Sequence, residues 1–138
     1  RTGEGLYLAI ERTLGTMDDP SKETGHPLDF ISAHGTATPY NDEMESIALT
    51  RAGLQHIPVN SFKGYWGHTL GAAGVVESVA GIYSMQHNLL FGTLGFQTPG
   101  VTQPIHVIRE TKESQADAFL KIASGFGGCN AALLFCTS

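Results

Sequence analysis

The sequence predicts an α/β fold, with helices layered on a central mixed sheet, and three observations predict it. Short apolar, strand-like runs alternate with helical patterns along the chain. One long helical pattern, residues 70–87, is apolar nearly all round, as a helix buried on most of its sides must be. The last two strand-like runs flank a glycine-rich turn and read as an antiparallel pair.

Taken in order, residues 5–14 (GLYLAIERTL) set Leu6, Ile10 and Leu14 on one face of a short amphipathic helix. Residues 16–27 are polar and turn-rich, a loop. Residues 28–33 (LDFISA) form a short apolar strand that ends at His34-Gly35. Asn41 or Asp42 can cap a helix running to about Ala52, with Glu43 and Glu45 in its positive first turn and Gly53 as its stop. Residues 57–60 (IPVN) are another short strand. In the long helix, Leu70, Val75, Val76, Val79, Ile82, Tyr83 and Met85 lie all around the barrel, and Gly71, Gly74 and Gly81 allow close approach of other backbones. Its one interior charge, Glu77, requires a cation or hydrogen-bond donors; Lys63 and His68 are the nearest candidates by sequence. Strand-like pieces follow at 89–94, 105–108, 119–124 and 131–136.

Composition narrows the function classes. The 138 residues fit one domain or part of a larger one. With 41% hydrophobic and only 15% charged residues, much of the surface is expected to be covered by another domain or subunit. A net charge of −5, with eight Lys and Arg scattered singly, offers no basic stripe for nucleic acid. No apolar run approaches a membrane span of about 18 residues, and no signal-peptide pattern is present. Cys129 and Cys136 make no disulfide framework, which fits a reducing, cytoplasmic setting. The chain opens on Arg1 and enters a helical pattern almost at once, so it reads as a piece of a longer protein.

Three short stretches carry candidate chemistry. His34-Gly35-Thr36-Ala37-Thr38 directly follows a strand, where α/β folds place ligand-facing groups, although a turn histidine held by neighbouring threonines explains it equally well. Lys63 and His68 stand five residues apart in a glycine-broken turn ahead of the long helix; by themselves they are also a structural pair for Glu77. Gly125-Phe126-Gly127-Gly128-Cys129-Asn130 is followed by a strand rather than a helix, which rejects a dinucleotide-binding loop. It is either a plain hairpin loop or one whose glycines aim the Phe126 amide at a substrate oxygen. His26, His56, His87 and His106 have no partner spacing. Neither an HExxH segment nor a Cys/His cluster is present, so no metal is expected, and the absence of a GxSxG elbow weakens a serine hydrolase reading.

Together and in order, these stretches resemble the C-terminal half of the β-ketoacyl-ACP synthases, the condensing enzymes of fatty acid and polyketide synthesis. AHGTATPYNDEMES is similar to the family's His-Gly-Thr segment, with Asp42 and Glu45 in place. KGYWGHTLGAAG is similar to its lysine–histidine segment, and SGFGGCNAALLF to its glycine-rich closing segment; the similarity runs from about Leu6 to the end. The resemblance implies a thiolase-like fold, in which two βαβαβαββ halves build a five-layered α-β-α-β-α core, usually in a homodimer. Residues 1–138 would supply the C-terminal half.

It also implies roles. His34 and His68 match the two histidines at the malonyl thioester carbonyl, where neutral N–H donors stabilise the enolate formed on decarboxylation. Lys63 matches the family lysine, in an orienting and electrostatic role, and Glu77 fits its helix partner. The Phe126 amide would join the oxyanion hole and its ring would act as a gate, with Thr36, Thr38, Gly125 and Gly127 supporting the site. The implied partners are acyl carrier protein, bearing acyl and malonyl groups, and the N-terminal half, which holds the cysteine nucleophile. No cofactor is implied. Neither Cys129 nor Cys136 matches the nucleophile, so the isolated chain is expected to be inactive and, with an apolar face exposed, prone to association.

The pattern departs from the family at Gly64-Tyr65-Trp66, which replaces small residues and is expected to reshape the malonyl side of the pocket. It departs again at Ala123-Ser124 and at Cys129, where threonine is common. Two alternatives stay open: a non-catalytic partner resembling a chain-length factor, which has no need of His34, Lys63 and His68 together, and a thiolase, whose glycine-rich segment carries a cysteine as Cys129 does here.

Overall fold

Strand β5, Ala118–Ser124, organises the computed structural model, which describes residues 2–15 and 28–137. On one side β5 pairs in parallel with β1 (Phe30–Ser32), setting Ser32 opposite Lys121. On the other it pairs antiparallel with β6 (Asn130–Cys136) along its whole length. A short strand β2 (Val59–Asn60) adds in parallel to β1, so the sheet order is β2-β1-β5-β6. Residues 118–122 are buried throughout, as strands covered on both faces are.

Side chains alternate between two apolar layers. Ile31, Leu120 and Ile122 meet Leu6 and Ile10 of α1 (Glu4–Leu14) and Ala48 and Leu49 of α2 (Pro39–Arg51). Phe30 and Phe119 meet Met85 and Ile82 of α4 (Ala73–Gln86) on the opposite face. The result is a helix–sheet–helix sandwich. A one-turn helix α3 (Lys63–Trp66) and a 3₁₀ turn, Leu70–Ala72, lead into α4. A small ribbon, β3 (Leu89–Leu90) with β4 (Lys112–Glu113), lies between α4 and β5 in the chain. Apart from α3 and that ribbon, the element order αβαβα–ββ is that of the expected half from its first helix onward.

Several expectations are corrected. Helix α2 begins at Pro39 with Thr38 as N-cap, not at Asn41 or Asp42, because proline's fixed φ suits the first helical position and its missing N–H costs nothing there. The Asp42 and Glu45 side chains are instead turned back toward the end of β1. Gly53 does stop the helix: at φ +72° it lets the Leu54 amide return to the Leu49 carbonyl at 2.9 Å and its own to Thr50 at 3.0 Å. The strands expected at 28–33, 57–60 and 89–94 shorten to β1, β2 and β3. At 105–108 there is a single bridge, Val59 to Val107, and β4 was not foreseen, since Lys112–Glu113 is polar and exposed. The loop expected over 16–27, with His26, lies outside the described residues.

The largest correction concerns α4, which is not buried on most sides. Its Glu77–Gly81–Ser84 face packs on the four-stranded sheet, but Val75 (69%), Val79 (61%) and Tyr83 (50%) stand exposed, because that sheet covers one side of the helix. On the packed side Gly81 is needed for space. Phe119 is stacked between Phe30 and Phe135, with ring centroids 4.9 and 4.8 Å away, and a Cβ on Gly81 would lie 2.4 Å from its ring. Gly81→Ala is therefore expected to destabilise the fold by about 1–3 kcal/mol through overpacking, despite alanine's better helix propensity. Urea denaturation of the native protein measures this; an unchanged midpoint would mean the stack yields freely.

Candidate active site

Because β1, β2 and β5 are parallel, their carboxyl ends share one edge of the sheet, and all three sequence stretches leave from that edge. His34 follows β1, Lys63 and His68 follow β2, and Gly125 follows β5.

His34 is held from behind by α2. Its backbone N–H donates to Glu45 Oε1 and that of Gly35 to Glu45 Oε2, each at 2.7 Å. Asn41 Nδ2 donates to Glu45 Oε2 at 2.8 Å, and the Thr36 N–H donates to Asp42 Oδ1 at 3.2 Å. Burial pushes the Glu45 carboxyl up while those two backbone donors oppose it. The turn is tight: Gly35 sits at φ +47°, and a Cβ there would lie 2.6 Å from Ser61 Cβ, so the turn admits glycine. Ser61 Oγ donates to the Gly35 carbonyl at 2.8 Å, tying the exit of β1 to that of β2. Thr36 and Thr38 share a hydroxyl hydrogen bond of 2.8 Å.

Lys63 reaches across from α3. Its Nζ lies 2.6 Å from Glu77 Oε1 and 3.2 Å from His34 Nδ1, and it also donates to the His34 carbonyl. An ammonium group only donates, so His34 Nδ1 accepts and the ring proton is on Nε2. His68 obeys the same logic by another route. The Leu70 N–H donates to its Nδ1 at 3.0 Å, which leaves the proton on Nε2. The two rings meet edge to face, with centroids 5.0 Å apart at 79°. His34 is 6% exposed. Burial, and next the ammonium groups of Lys63 and Lys121, push its pKa down to about 4, with Glu77 acting the other way. It is therefore a neutral imidazole at physiological pH.

Glu77 has a second partner that sequence reasoning missed. Lys121, 1% exposed in the middle of β5, places Nζ 2.5 Å from Glu77 Oε2. It also donates to the Ala33 carbonyl at 3.0 Å and the Ser32 carbonyl at 3.3 Å. The signal was present, for a lysine inside FLKIAS has no apolar reading. His68, considered as a Glu77 partner, is engaged with Leu70 instead.

Lys63, His68, Gly35, Thr36 and Thr38 border a cleft of about 760 Å³, whose far wall is the segment from Thr93 to Val101. Glu43 anchors that segment by accepting from the amide and hydroxyl of Thr102, bonds that hold its carboxyl below the usual range. Tyr65 and Trp66 do not line this cleft, contrary to expectation. They pack against Phe62 and Phe91 and, with Val76, Val79 and Tyr83, border a separate apolar groove of about 360 Å³ on the outer side of α4. Nor does the structure bring Phe126 into the cluster. It is fully exposed on the β5–β6 turn, where Gly127 and Gly128 take φ +76° and +82° and Gly125 donates to the Cys129 carbonyl at 2.7 Å. Cys129 and Cys136 are free and exposed. Among the described residues no three His, Cys, Asp or Glu side chains come together as a metal site, and no helix is long and apolar enough to cross a membrane.

This arrangement belongs to the thiolase-like class of α/β folds. A solved structure of the ishigamide ketosynthase/chain length factor superposes with a TM-score of 0.85 at 28% identity, covering 99% of this chain and 34% of that one. Residues 3–97 match the family model of the beta-ketoacyl synthase C-terminal domain, and the chain belongs to that family. It is 30% identical over 137 residues to 3-oxoacyl-[acyl-carrier-protein] synthase 1 of Haemophilus influenzae, covering 97% of this chain and 32% of the relative. It is 34% identical over 118 residues to the tetracenomycin polyketide synthase ketoacyl synthase alpha subunit of Streptomyces glaucescens, covering 83% and 28%. The chain thus spans about a third of the length of the curated relatives it matches.

Proposed function

We propose that residues 1–138 form the C-terminal half of a 3-oxoacyl-ACP synthase, which condenses malonyl-ACP with an enzyme-bound acyl thioester in fatty acid or polyketide synthesis. The observation that carries this reading is the pair of imidazole rings. His34 and His68 each have Nδ1 occupied as an acceptor and an Nε2–H left to donate, at one edge of the sheet.

In this reaction the acyl group first passes from its carrier to a cysteine of the N-terminal half, forming a thioester. Malonyl-ACP then loses CO2, and the electron pair of the broken C–C bond becomes an enolate on the thioester oxygen. Two N–H donors aimed at that oxygen act mainly where charge develops, so they lower the barrier more than they tighten ground-state binding. The enolate carbon attacks the acyl thioester, the cysteine thiolate leaves, and 3-oxoacyl-ACP is the product. Lys63, locked to Glu77, keeps His34 in the donating tautomer and is itself no base. The Phe126 amide completes an oxyanion hole with the nucleophile's amide, and its exposed ring gates the two half-reactions. The cleft beside Thr36 and Thr38 takes the carrier's thioester arm, and the exposed apolar face of α4 packs against the N-terminal half in a homodimeric enzyme. Residues 1–138 alone then lack the nucleophile and do not form an acyl-enzyme.

The test is donor choice by the native protein. With malonyl-ACP and a primed acyl group, we expect CO2 release matched by 3-oxoacyl product. Condensation of acetyl-CoA without CO2 release would replace this reading with a thiolase. Turnover that appears only on mixing with a separate ketosynthase would replace it with a chain-length-factor partner.

A further inference from the structure

We propose that Lys121 is a positioning residue for His34: from the middle of β5 it clamps the Glu77 carboxylate and the Ser32 and Ala33 carbonyls at the exit of β1 into one unit beneath the imidazole. A lysine in the core of a sheet loses its hydration and is tolerated only when charge and donors are matched. Every other position of β5 from Ala118 to Ala123 is apolar, and an apolar residue at 121 would complete the layer that Phe30 and Phe119 begin. What the lysine provides instead is specific. Three successive carbonyls, Ser32, Ala33 and His34, leave the sheet at the end of β1, and each accepts from an ammonium: Lys121 serves the first two and Lys63 the third.

Glu77 joins the two cations, one carboxylate oxygen to each. Lys63 is thereby held on a carboxylate that cannot rotate, and its remaining reach is to His34 Nδ1 at 3.2 Å. The orientation of the His34 ring is thus set through Lys63 by Glu77, and that of Glu77 by Lys121. The charged and titratable groups around His34 come from five directions: Lys63 on α3, Lys121 on β5, Glu77 on α4, His68 ahead of α4, and Glu45 on α2 at the His34 amide. Two cations against one carboxylate beneath the ring favour its neutral form, and the depressed His34 pKa accords with that balance.

This inference uses the condensing role of His34 only in its kinetic arm. The test is histidine-selective ¹⁵N NMR of the native protein and of Lys121→Met and Lys121→Gln, with the His34 signal assigned by its loss in His34→Ala. In the native protein we expect the neutral Nε2–H tautomer down to about pH 4. In Lys121→Met we expect the His34 pKa to rise by about one unit or more, since a nearby like charge is gone, and the tautomer to become mixed. Lys121→Gln retains a donor without the charge, so it should keep more of the tautomer preference while showing the same rise. In the kinetic arm, kcat should fall up to about 100-fold with KM for the malonyl donor unchanged, as misplacement of a reacting group predicts. An unchanged His34 pKa and tautomer in a folded variant would overturn the proposal. So would loss of the fold in both variants, because Lys121 would then be a core prop and nothing more. Absence of condensation from the native protein itself would defeat the functional reading, and the NMR arm would still decide the role of Lys121.

Discussion

Replacing His68 by alanine in the native protein is expected to lower malonyl-ACP decarboxylation by about 10²–10³-fold, the usual effect of removing one donor from a developing oxyanion. The same loss is expected for His34→Ala, but the two variants should differ in everything except rate. His68 is exposed, and among the described residues its ring meets only the Leu70 amide and the His34 ring, so His68→Ala should nearly keep the native urea midpoint. His34 is buried, and its Nδ1 accepts from Lys63, so removing it leaves a cavity and an unsatisfied ammonium direction. Part of its cost should therefore appear as lost stability. If both donors serve one oxygen, the double variant should be far less than multiplicatively worse than either single one, because groups acting as a unit are not additive. A His68→Ala enzyme within about threefold of the native rate would remove His68 from the oxyanion role, whatever happened at His34.

The legibility of this chain in its sequence divides along a physical line. Local patterns translated well. The Leu6–Ile10 face of α1, the Gly53 stop and the antiparallel β5–β6 pair each depend on residues close in sequence or on a strong period. So did the lysine–glutamate pair, because an interior carboxylate on an apolar helix demands a cation and Lys63 was near. What was not legible depends on the register between distant strands. Lys121 reaches the Ser32 and Ala33 carbonyls because β5 lies beside β1 in parallel with Ser32 opposite residue 121, and it meets Glu77 because α4 packs across β5; no local pattern encodes either placement. Asp42 and Glu45 misled for the opposite reason. Acidic residues near a helix start have a local explanation, favourable charge against the helix dipole, and it hid their bonds to the His34–Thr36 turn. The direction of Tyr65 and Trp66 failed similarly, since a one-turn helix at 63–66 swings both rings toward Phe62 and away from the cleft.

Glu77→Gln should be the most damaging single change to the fold. The carboxylate is fully buried between two ammonium groups whose side chains are 8% and 1% exposed, so its loss leaves two buried cations facing each other with no counter-charge. Breaking a buried pair by removing one partner costs about 3–5 kcal/mol, and here one partner serves two. The pH dependence gives the mechanism a signature. Burial already pushes the Lys121 pKa down, and Glu77 is the main influence holding it up. Without Glu77 it should fall further below the value of the unfolded chain. A lysine depressed in the folded state binds fewer protons there than when unfolded, so stability rises with pH. The deficit of Glu77→Gln should accordingly be largest at neutral pH and shrink as the solution becomes alkaline and Lys121 enters the fold uncharged. Adding Lys121→Met to Glu77→Gln removes the stranded cation together with its partner, and should restore part of the lost stability at neutral pH. Urea denaturation of the single and double variants across pH reads both effects. A deficit that is the same at every pH, or a double variant no more stable than Glu77→Gln alone, would mean that Glu77 supports the fold through packing rather than by neutralising the two lysines.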